Sequence, residues 1–262
     1  MKIVVCVKEV PELTEVRLDP ATNTLCRAGA ASQVNPFDLH ALEVALRIKD
    51  RAAAAMVTVL SMGLMRVAET LKELIARGAD AAVLLSDPAF AGSDTLATSY
   101  ILAKGIERIG RADLILCGRQ AIDGATGQVG PELAERLGIP HLAWVTGIND
   151  LNERELVAER ACEAGYERVQ VTLPALLTVG RELNEPRLPS LQGKRRAQNA
   201  PVTVWGAEAI GAAPEKIGLT GSPTWVKSVF TPEYQRRGII FPGPPEAAAH
   251  ALVKALTAPK LG

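Results

Sequence analysis

The stretch Leu114–Gly138, LILCGRQAIDGATGQVGPELAERLG, combines a buried-strand pattern, a glycine-rich turn and the start of a helix. α/β proteins hold phosphates at such turns, because the first N–H groups of the helix are unpaired and carry a partial positive charge of about half an electron. Gly124, Gly127 and Gly130 allow the main chain to approach a ligand closely. The spacing differs from the GxGxxG of dehydrogenases, so an anion or nucleotide site is predicted, with an ordinary tight turn as the alternative.

Around this stretch, residues 1–150 alternate short apolar runs with amphipathic segments, which predicts a mostly parallel sheet with helices on both faces. Buried strands are predicted at Ile3–Val7, Val57–Leu60, Ala82–Leu85 and Leu114–Cys117. Helices are predicted from an Asn35 cap, over Arg66–Arg77, from Ser93 or Asp94 to about Ile109, and in the segment that Gly138 ends.

The pattern changes after Leu151. Arg154–Cys162 and Tyr166–Leu173 predict an antiparallel hairpin added to the sheet, and Ala175–Val179 predicts one more apolar strand.

Beyond Gly180 the sequence loses its core-forming pattern, and in the proline-rich tail only Glu246–Leu256 convincingly predicts a helix. A tail of this kind packs poorly on its own. We therefore predict a nucleotide-binding α/β domain over residues 1–195 and an extended C-terminal arm over residues 196–262 that wraps a partner subunit.

Composition excludes several function classes. Lys plus Arg and Asp plus Glu number 29 each, which argues against a general role on nucleic acid or a membrane surface. Apolar runs fall short of the roughly 20 residues of a membrane span, and Met1 leads into a strand-like segment without a signal-peptide pattern. The four cysteines have no CxxC spacing, so we expect no metal site and a reducing, cytoplasmic location.

Side chains for catalysis are largely missing. His40, His141 and His250 are scattered, and neither a GxSxG nor an HExxH pattern occurs. Asp123 and Glu132 could act as acid or base, but an aspartate before glycine is first a turn residue. We predict no catalytic residue, so a bound cofactor must carry any reaction.

Five segments, in this order, closely resemble the β subunits of electron transfer flavoproteins. They are VNPFDLHALEVALRIK (Val34–Lys49), FAGSDTLATSY (Phe90–Tyr100), CGRQAIDGATGQVGPELAERLG (Cys117–Gly138), LPALLTV followed by LNEPRLPSL (Leu173–Leu191) and GLTGSPTWVKSVFTP (Gly218–Pro232). The resemblance implies a Rossmann-like core and an α-subunit partner that holds FAD. It also implies electron transfer between flavin or nicotinamide donors and an acyl-CoA dehydrogenase or quinone-linked oxidoreductase, as a subunit rather than a stand-alone enzyme.

Two branches of that family differ in what the glycine-rich loop holds. One binds AMP as a structural nucleotide. The bifurcating branch binds a second FAD that accepts a hydride from NADH, and its electrons are divided between a high-potential flavin path and a low-potential acceptor such as ferredoxin or flavodoxin. This chain resembles the bifurcating branch in AIDGxTxQVGPE, FAGSDTLATSY and GSPT, although Ala125 and Gly127 replace the Asp and Ala common there. FAD is therefore predicted ahead of AMP, with NADH as a transient donor.

The resemblance also assigns residues to a nucleotide pocket. They are Cys6, Asn35, Phe37, Met62, Asp94, Thr95, Thr98, Asp123, Gly124, Ala125, Thr126, Gly127, Gln128, Val129, Gly130 and Pro131. Thr126 and Gln128 could hydrogen-bond phosphate or ribose, or be polar turn residues only. Asn35 and Asp94 could face the ligand or serve as helix caps only.

A second kind of site is expected in the LNEPRLPSL segment. There the resemblance makes Leu191 an exposed anchor for the partner dehydrogenase, assigns Arg187 to the same docking segment, and lets Lys194, Arg195 and Arg196 steer docking. A solvated helix face is the alternative for the basic group. A stand-alone nucleotide sensor of the universal stress type would fit the early α/β pattern but leaves this segment and the tail unexplained.

Overall fold

A computed structural model describes residues 1–12, 17–18, 25–26, 32–52, 54–227 and 238–257. The chain divides into two compact units, Met1–Lys227 and Ser228–Gly262. Residues 228–232 of the Gly218–Pro232 segment and the side chain of Cys26 lie outside what is described. Within the described residues, no helix combines the length and apolar character needed to cross a membrane.

The described strands form one large sheet and two small antiparallel pairs. They are β1 (Lys2–Cys6), β2 (Glu9–Pro11), β3 (Arg17–Leu18), β4 (Leu25–Cys26), β5 (Ser32–Val34), β6 (Met56–Met62), β7 (Ala81–Leu85), β8 (Leu114–Gly118), β9 (His141–Leu151), β10 (Glu155–Cys162), β11 (Gly165–Thr172), β12 (Ala175–Val179) and β13 (Val202–Trp205). The nine-stranded sheet has the order β11-β10-β9-β12-β8-β1-β6-β7-β13. Only the β9–β10 and β10–β11 pairs of this sheet are antiparallel, which confirms the predicted parallel sheet with an added hairpin.

The helices are α1 (Pro36–Arg51), α2 (Val67–Arg77), α3 (Thr95–Ile109), α4 (Val129–Leu137), α5 (Leu191–Gln198) and α6 (Pro245–Thr257). Short 3₁₀ turns lie at Pro88–Phe90, Arg181–Leu183 and Pro214–Lys216. The four helices predicted in the first half of the chain and the one in the tail are all present. α4 ends at Gly138 as predicted, and this glycine adopts a left-handed conformation with φ of 63°.

Two hydrophobic cores lie on opposite faces of the sheet because alternate strand residues point to opposite sides. Ile3 and Val5 of β1 face a core shared with α1 and α2. Val4 and Cys6 face a second core shared with α3 and α4. The strands β1, β7, β8 and β12 are buried on both faces, which explains their near-continuous apolar sequences.

Besides the short strands β2, β3, β4 and β5, three described elements were not predicted from the sequence. β9 begins directly after Pro140 and is a long strand that lies between β12 and the hairpin. α5 packs against α2, with Ala197 in the first core, and β13 pairs with β7 at the edge of the sheet. The sheet therefore extends past residue 195, where the sequence placed the start of an arm. An arm that wraps a partner subunit stays a prediction.

Candidate functional site

The strand order reverses direction between β1 and β8, which are hydrogen-bonded neighbours. From β1 the chain proceeds through β6 to β7 on one side, and then returns to place β8 on the other side of β1. In open α/β sheets, ligands bind outside the carboxyl ends of the strands at such a reversal. The turn after β8, residues 119–128, follows the carboxyl end of this strand.

The start of α4 is suited to an anion. Gln128, at the N-cap position, makes no side-chain cap hydrogen bond, so the first N–H groups of the helix have no side-chain partner from that residue. Gly130 is buried, and a Cβ placed there would clash with Cγ2 of Thr178 on β12. A glycine is therefore needed for α4 to lie this close to the sheet. Diphosphate and phosphate groups fit such a turn without a charged side chain.

The turn before α4 is open and partly strained. Asp123, Gly124, Ala125 and Thr126 are exposed. Ala125 has a φ of 52°, which costs a non-glycine residue about 1–2 kcal/mol. Strained backbone of this kind persists where the surrounding structure holds it, and it is concentrated at ligand sites.

Two buried polar side chains at the start of α1 bind the turns that follow β1 and β8. Asn35 and Asp38 are 1% and 6% exposed. Asp38 accepts hydrogen bonds from the main-chain N–H groups of Lys8 (2.7 Å) and Gly118 (3.2 Å). Asn35 Nδ2 donates to Asp38 Oδ1 (2.8 Å) and to the carbonyl of Gln120 (2.9 Å).

The amide of Asn35 is fully used in this way, since its Oδ1 also accepts from the N–H of Ile122 at 3.2 Å. The prediction that the Asn35 side chain caps α1 is therefore wrong: it occupies the N-cap position but makes no cap hydrogen bond. Its side chain instead crosses to the turn after β8. Asp38, to which the sequence analysis gave no role in the site, is one of the residues that were missed.

An ion pair closes the same region from the solvent side. Lys8 Nζ lies 2.7 Å from Oδ2 of Asp123 and joins the turn after β1 to the turn after β8. Because the Lys8 side chain is half exposed, the pair contributes little to stability by itself. It places one cation and one anion beside the candidate anion site. Lys8 had no recognisable signal in the sequence.

The start of α3 lies next to the start of α4. Thr95 Oγ1 is 3.0 Å from Oε1 of Glu132 and 3.3 Å from Oε1 of Gln128. Asp94 is confirmed as a helix cap, because its Oδ1 accepts from the N–H of Ala97 at 3.0 Å. Its other oxygen accepts from the N–H and the hydroxyl of Thr224. Burial alone would raise the pKa of Asp94, but these hydrogen bonds lower it, so the carboxylate is held ionised by the protein itself.

Cys6 and Cys117 occupy paired positions on β1 and β8, beneath the crevice. Both are buried free thiols. A hydrogen bond to Cys6, together with burial, raises the pKa of Cys117 well above its usual value. The Cys117 thiol is therefore a neutral packing group, and Cys6 packs in the same core. No group of three or more potential ligands that could hold a metal ion occurs among the described residues.

Phe37 belongs to an aromatic stack at the same edge of the sheet. The guanidinium carbon of Arg119 lies 4.6 Å from the centroid of the Phe37 ring and 4.9 Å from that of Trp144. Met62 ends β6 at this edge, and Thr98 lies in the first turn of α3. The structure thus gathers the predicted pocket residues at the carboxyl edge of the sheet, although a ligand contact by each of them stays a prediction.

The proposed docking segment lies elsewhere. Leu191 is the first residue of α5 rather than part of a loop, and it is 82% exposed, as is its neighbour Leu188 at 83%. Arg187 is bound within the chain: its Nε and one terminal nitrogen contact the two carboxylate oxygens of Glu43, and it also pairs with Asp50. Burial alone would raise the pKa of Glu43, but the hydrogen bonds from Arg187 and Arg47 lower it.

The basic residues of α5 are all exposed, but they differ in their contacts. Arg196 donates to the carbonyls of Ile75 (2.7 Å) and Ala79 (2.9 Å) at the end of α2. Lys194 and Arg195 are exposed. Arg196 therefore fixes α5 on α2, and the other two remain available to steer a partner.

Comparison with known proteins gives a consistent result. Residues 22–210 match the Electron transfer flavoprotein domain. The chain is 46% identical over 243 residues to the Caffeyl-CoA reductase-Etf complex subunit CarD of Acetobacterium woodii, covering 93% of this chain and 92% of the relative. It is 47% identical over 255 residues to the electron transfer flavoprotein subunit beta of Clostridium acetobutylicum, covering 97% of each. Protein FixA of Azorhizobium caulinodans is 44% identical over 239 residues, covering 88% of this chain and 85% of the relative.

Proposed function

Since the chain belongs to the electron transfer flavoprotein family, among its β subunits, we propose that it pairs with an FAD-bearing α subunit and itself binds a nucleotide at the β1–β8 crevice. One observation carries the nucleotide assignment. The start of α4 lacks a side-chain cap at the carboxyl edge of the sheet, next to the strand-order reversal, and Gly130 brings the helix onto β12. This arrangement favours a phosphate-bearing ligand.

FAD is the nucleotide we propose first. The glycine-rich turn, the segment that starts α3 and the GSPT sequence resemble the bifurcating branch. The Thr224 hydroxyl of GSPT bonds to Asp94 at the start of α3, so two of these three segments are in contact. A flavin bound here would accept a hydride from NADH and pass its electrons on one at a time.

The chain's own contribution is to bind and orient that group. The N–H groups of residues 128–130 would bind the diphosphate, and Thr126 and Gln128 would offer hydrogen bonds to phosphate or ribose. Cys6 and Cys117 close the floor of the site, and Phe37 and Met62 line its apolar part. No side chain of the described residues is assigned a covalent role.

AMP is the second candidate for the same site. A phosphate at the start of α4 is common to both nucleotides, so the phosphate contacts favour neither. In that case redox chemistry would be confined to the FAD of the α subunit, and the β subunit would have a structural role.

The electron acceptor we propose is an acyl-CoA dehydrogenase-type protein, with a quinone-linked oxidoreductase as the other candidate. Support comes from the relative whose name places it in a caffeyl-CoA reductase complex. Ferredoxin or flavodoxin would take the low-potential electron if the complex bifurcates. We place this assembly in the cytoplasm.

Counting nucleotides on the purified heterodimer tests the proposal. Denatured protein releases its nucleotides for chromatography, and the absorption spectrum of the native complex is recorded with and without NADH. Two FAD per heterodimer, with flavin bleaching by NADH, support bifurcation. One FAD and one AMP contradict bifurcation and favour the structural alternative. One FAD with no second nucleotide contradicts a nucleotide site on this chain.

A further inference from the structure

Asp38 lies at the meeting point of three segments that build the crevice. It lies in the first turn of α1. Its carboxyl group accepts hydrogen bonds from the N–H of Lys8, after β1, and from the N–H of Gly118, at the end of β8. Asn35 extends the connection to Gln120 and Ile122 in the turn that leads to α4. Two side chains thus fix the main chain on both sides of the strand-order reversal.

The carboxyl group of Asp38 is in close contact with the end of β8. A Cβ at Gly118 would clash with Oδ1 of Asp38 and would lie 2.7 Å from Cβ of Phe37, so the end of β8 can approach α1 only with a glycine there. Burial is costly for this carboxyl group: it raises the pKa of Asp38 to about 7, although three hydrogen bonds and the nearby Lys8 act in the opposite direction. An apolar residue would avoid that cost, but it could not accept the two N–H groups.

We propose that Asp38 is a positioning residue for the nucleotide, which holds the turns after β1 and β8 in the arrangement that binds the phosphate and does not itself touch the ligand. This inference rests on the proposed function, because it requires a nucleotide in the crevice. It adds a residue to which neither the sequence nor the resemblance gave a role.

The chain offers a matched control at the other end of the same two strands. Asp113 precedes β8, and its Oδ2 accepts the N–H of Lys2 at the start of β1 at 2.7 Å. Asp113 therefore ties β1 to β8 through one aspartate-to-main-chain hydrogen bond, whereas Asp38 accepts two. The Asp113 bond lies at the amino edge of the sheet, away from the crevice. Asp113→Asn therefore loosens the same two strands at the opposite edge, from a position that is less buried than Asp38.

The experiment compares wild type, Asp38→Asn, Asp113→Asn, Asn35→Ala and the Asn35→Ala/Asp38→Asn double variant of the full chain. Calorimetry gives the dissociation constants of two probes, AMP and FAD, added separately to nucleotide-free protein. Thermal unfolding gives the stability of each variant, and hydrogen exchange reports on the amides of Lys8, Gly118 and Ile122.

We expect Asp38→Asn to weaken binding of the probe that wild type takes by about tenfold or more, because one of the two N–H groups then faces the NH2 of the amide, a donor, in place of an acceptor oxygen. The same amides should exchange faster. Asp113→Asn should lower the unfolding temperature without either effect. The double variant should bind no more weakly than the poorer single variant, because both residues act through one network.

Two results would overturn the inference. One is unchanged affinity in Asp38→Asn while wild type binds a probe, which would leave the proposed function intact. The other is an equal loss of affinity in Asp113→Asn, which would make both losses a consequence of stability. If wild type binds neither AMP nor FAD, the nucleotide site itself is wrong, and the positioning role is rejected with it.

Discussion

At the residue scale, the polar side chains Asn35, Asp38 and Asp94 hold the main chain around the candidate site. Asn35 and Asp38 use their polar atoms on the turns after β1 and β8. Asp94 caps α3 and holds Thr224. Cys6 and Cys117 are buried free thiols. This agrees with a chain that positions a cofactor and leaves the reaction to it.

The raised pKa of Asp38 predicts how the stability of the protein depends on pH. Its pKa is about 7 in the folded protein and near 3.8 in an unfolded chain, so the folded state binds the proton more tightly. Protonation of Asp38 therefore stabilises the folded wild type relative to Asp38→Asn. This contribution is fully present below pH 3.8 and is lost as the pH rises through about 7. We expect the difference in free energy of unfolding to fall by up to a few kcal/mol over that range.

Urea unfolding of both proteins at several pH values measures that difference. The comparison isolates Asp38, because the other titrating groups, among them Lys8, Asp123, Cys6 and Cys117 around this site, are common to both proteins. A difference that stays constant between about pH 5 and 8 would show that the Asp38 carboxyl group is not perturbed by burial.

At the element scale, the position of α4 depends on one close contact with the sheet. Gly130 meets Thr178 of β12, and Thr178 Oγ1 accepts the N–H of Trp144 on β9 at 3.1 Å. Trp144 has a φ of 63° at an irregularity in the β9–β12 pairing. The helix that starts the anion site is thus positioned by two strands that follow it in the sequence.

Gly130→Ala should therefore destabilise the chain by about 1–3 kcal/mol and weaken nucleotide binding, because a methyl group would push α4 away from β12. Gly124→Ala, in the same turn, is a control for stability alone, since Gly124 is itself a predicted pocket residue: its added Cβ meets nothing within 4 Å, so stability should change by less than about 0.5 kcal/mol. Chemical denaturation and probe calorimetry measure both effects.

The Gly130→Ala/Thr178→Ser double variant tests the cause. Serine removes the methyl group that the added Cβ at position 130 would strike, and it keeps the hydroxyl that accepts from Trp144. Recovery of at least half of the lost stability is expected, and no recovery would contradict the assigned contact.

At the scale of the whole molecule, two proposed sites lie at opposite ends of α1. Asp38, near its start, belongs to the crevice, whereas Asp50, near its end, pairs with Arg187 of the docking segment. At 1.5 Å per residue these positions are separated by about 18 Å. Docking and nucleotide binding can therefore be changed independently.

Leu191→Ala should slow electron transfer to the partner dehydrogenase by about tenfold while reduction of the flavin by NADH stays normal, because truncating an exposed anchor removes contact area only in the docked complex. Stopped-flow absorption of the heterodimer follows both steps. Leu188→Ala, equally exposed three residues earlier in the same segment, tests whether the anchor is confined to Leu191 and should slow electron transfer less than Leu191→Ala does. An equal fall in both rates of Leu191→Ala would contradict the anchor assignment.

Individual elements show which parts of the fold sequence patterns can predict. Helices with an apolar stripe and clear ends, such as α3 between Asp94 and Gly110, were predicted closely because the information is local. β13 and α5 were missed, since their short, mixed sequences are stabilised by contacts with β7 and α2. Asp38 was missed as a site residue for the same reason: an acid in a first turn is common, and only its burial among distant N–H groups distinguishes it.

The sequence by itself determined the alternation of strands and helices, the turn before α4 and the family, because periodicity, glycines and motifs are properties of neighbouring residues. Only the tertiary structure decided which turns meet. The reversal between β1 and β8 brings Lys8, Asn35, Asp38 and the segment 118–123 together, and chain-distant groups share one site because parallel strands place their carboxyl ends at a common edge.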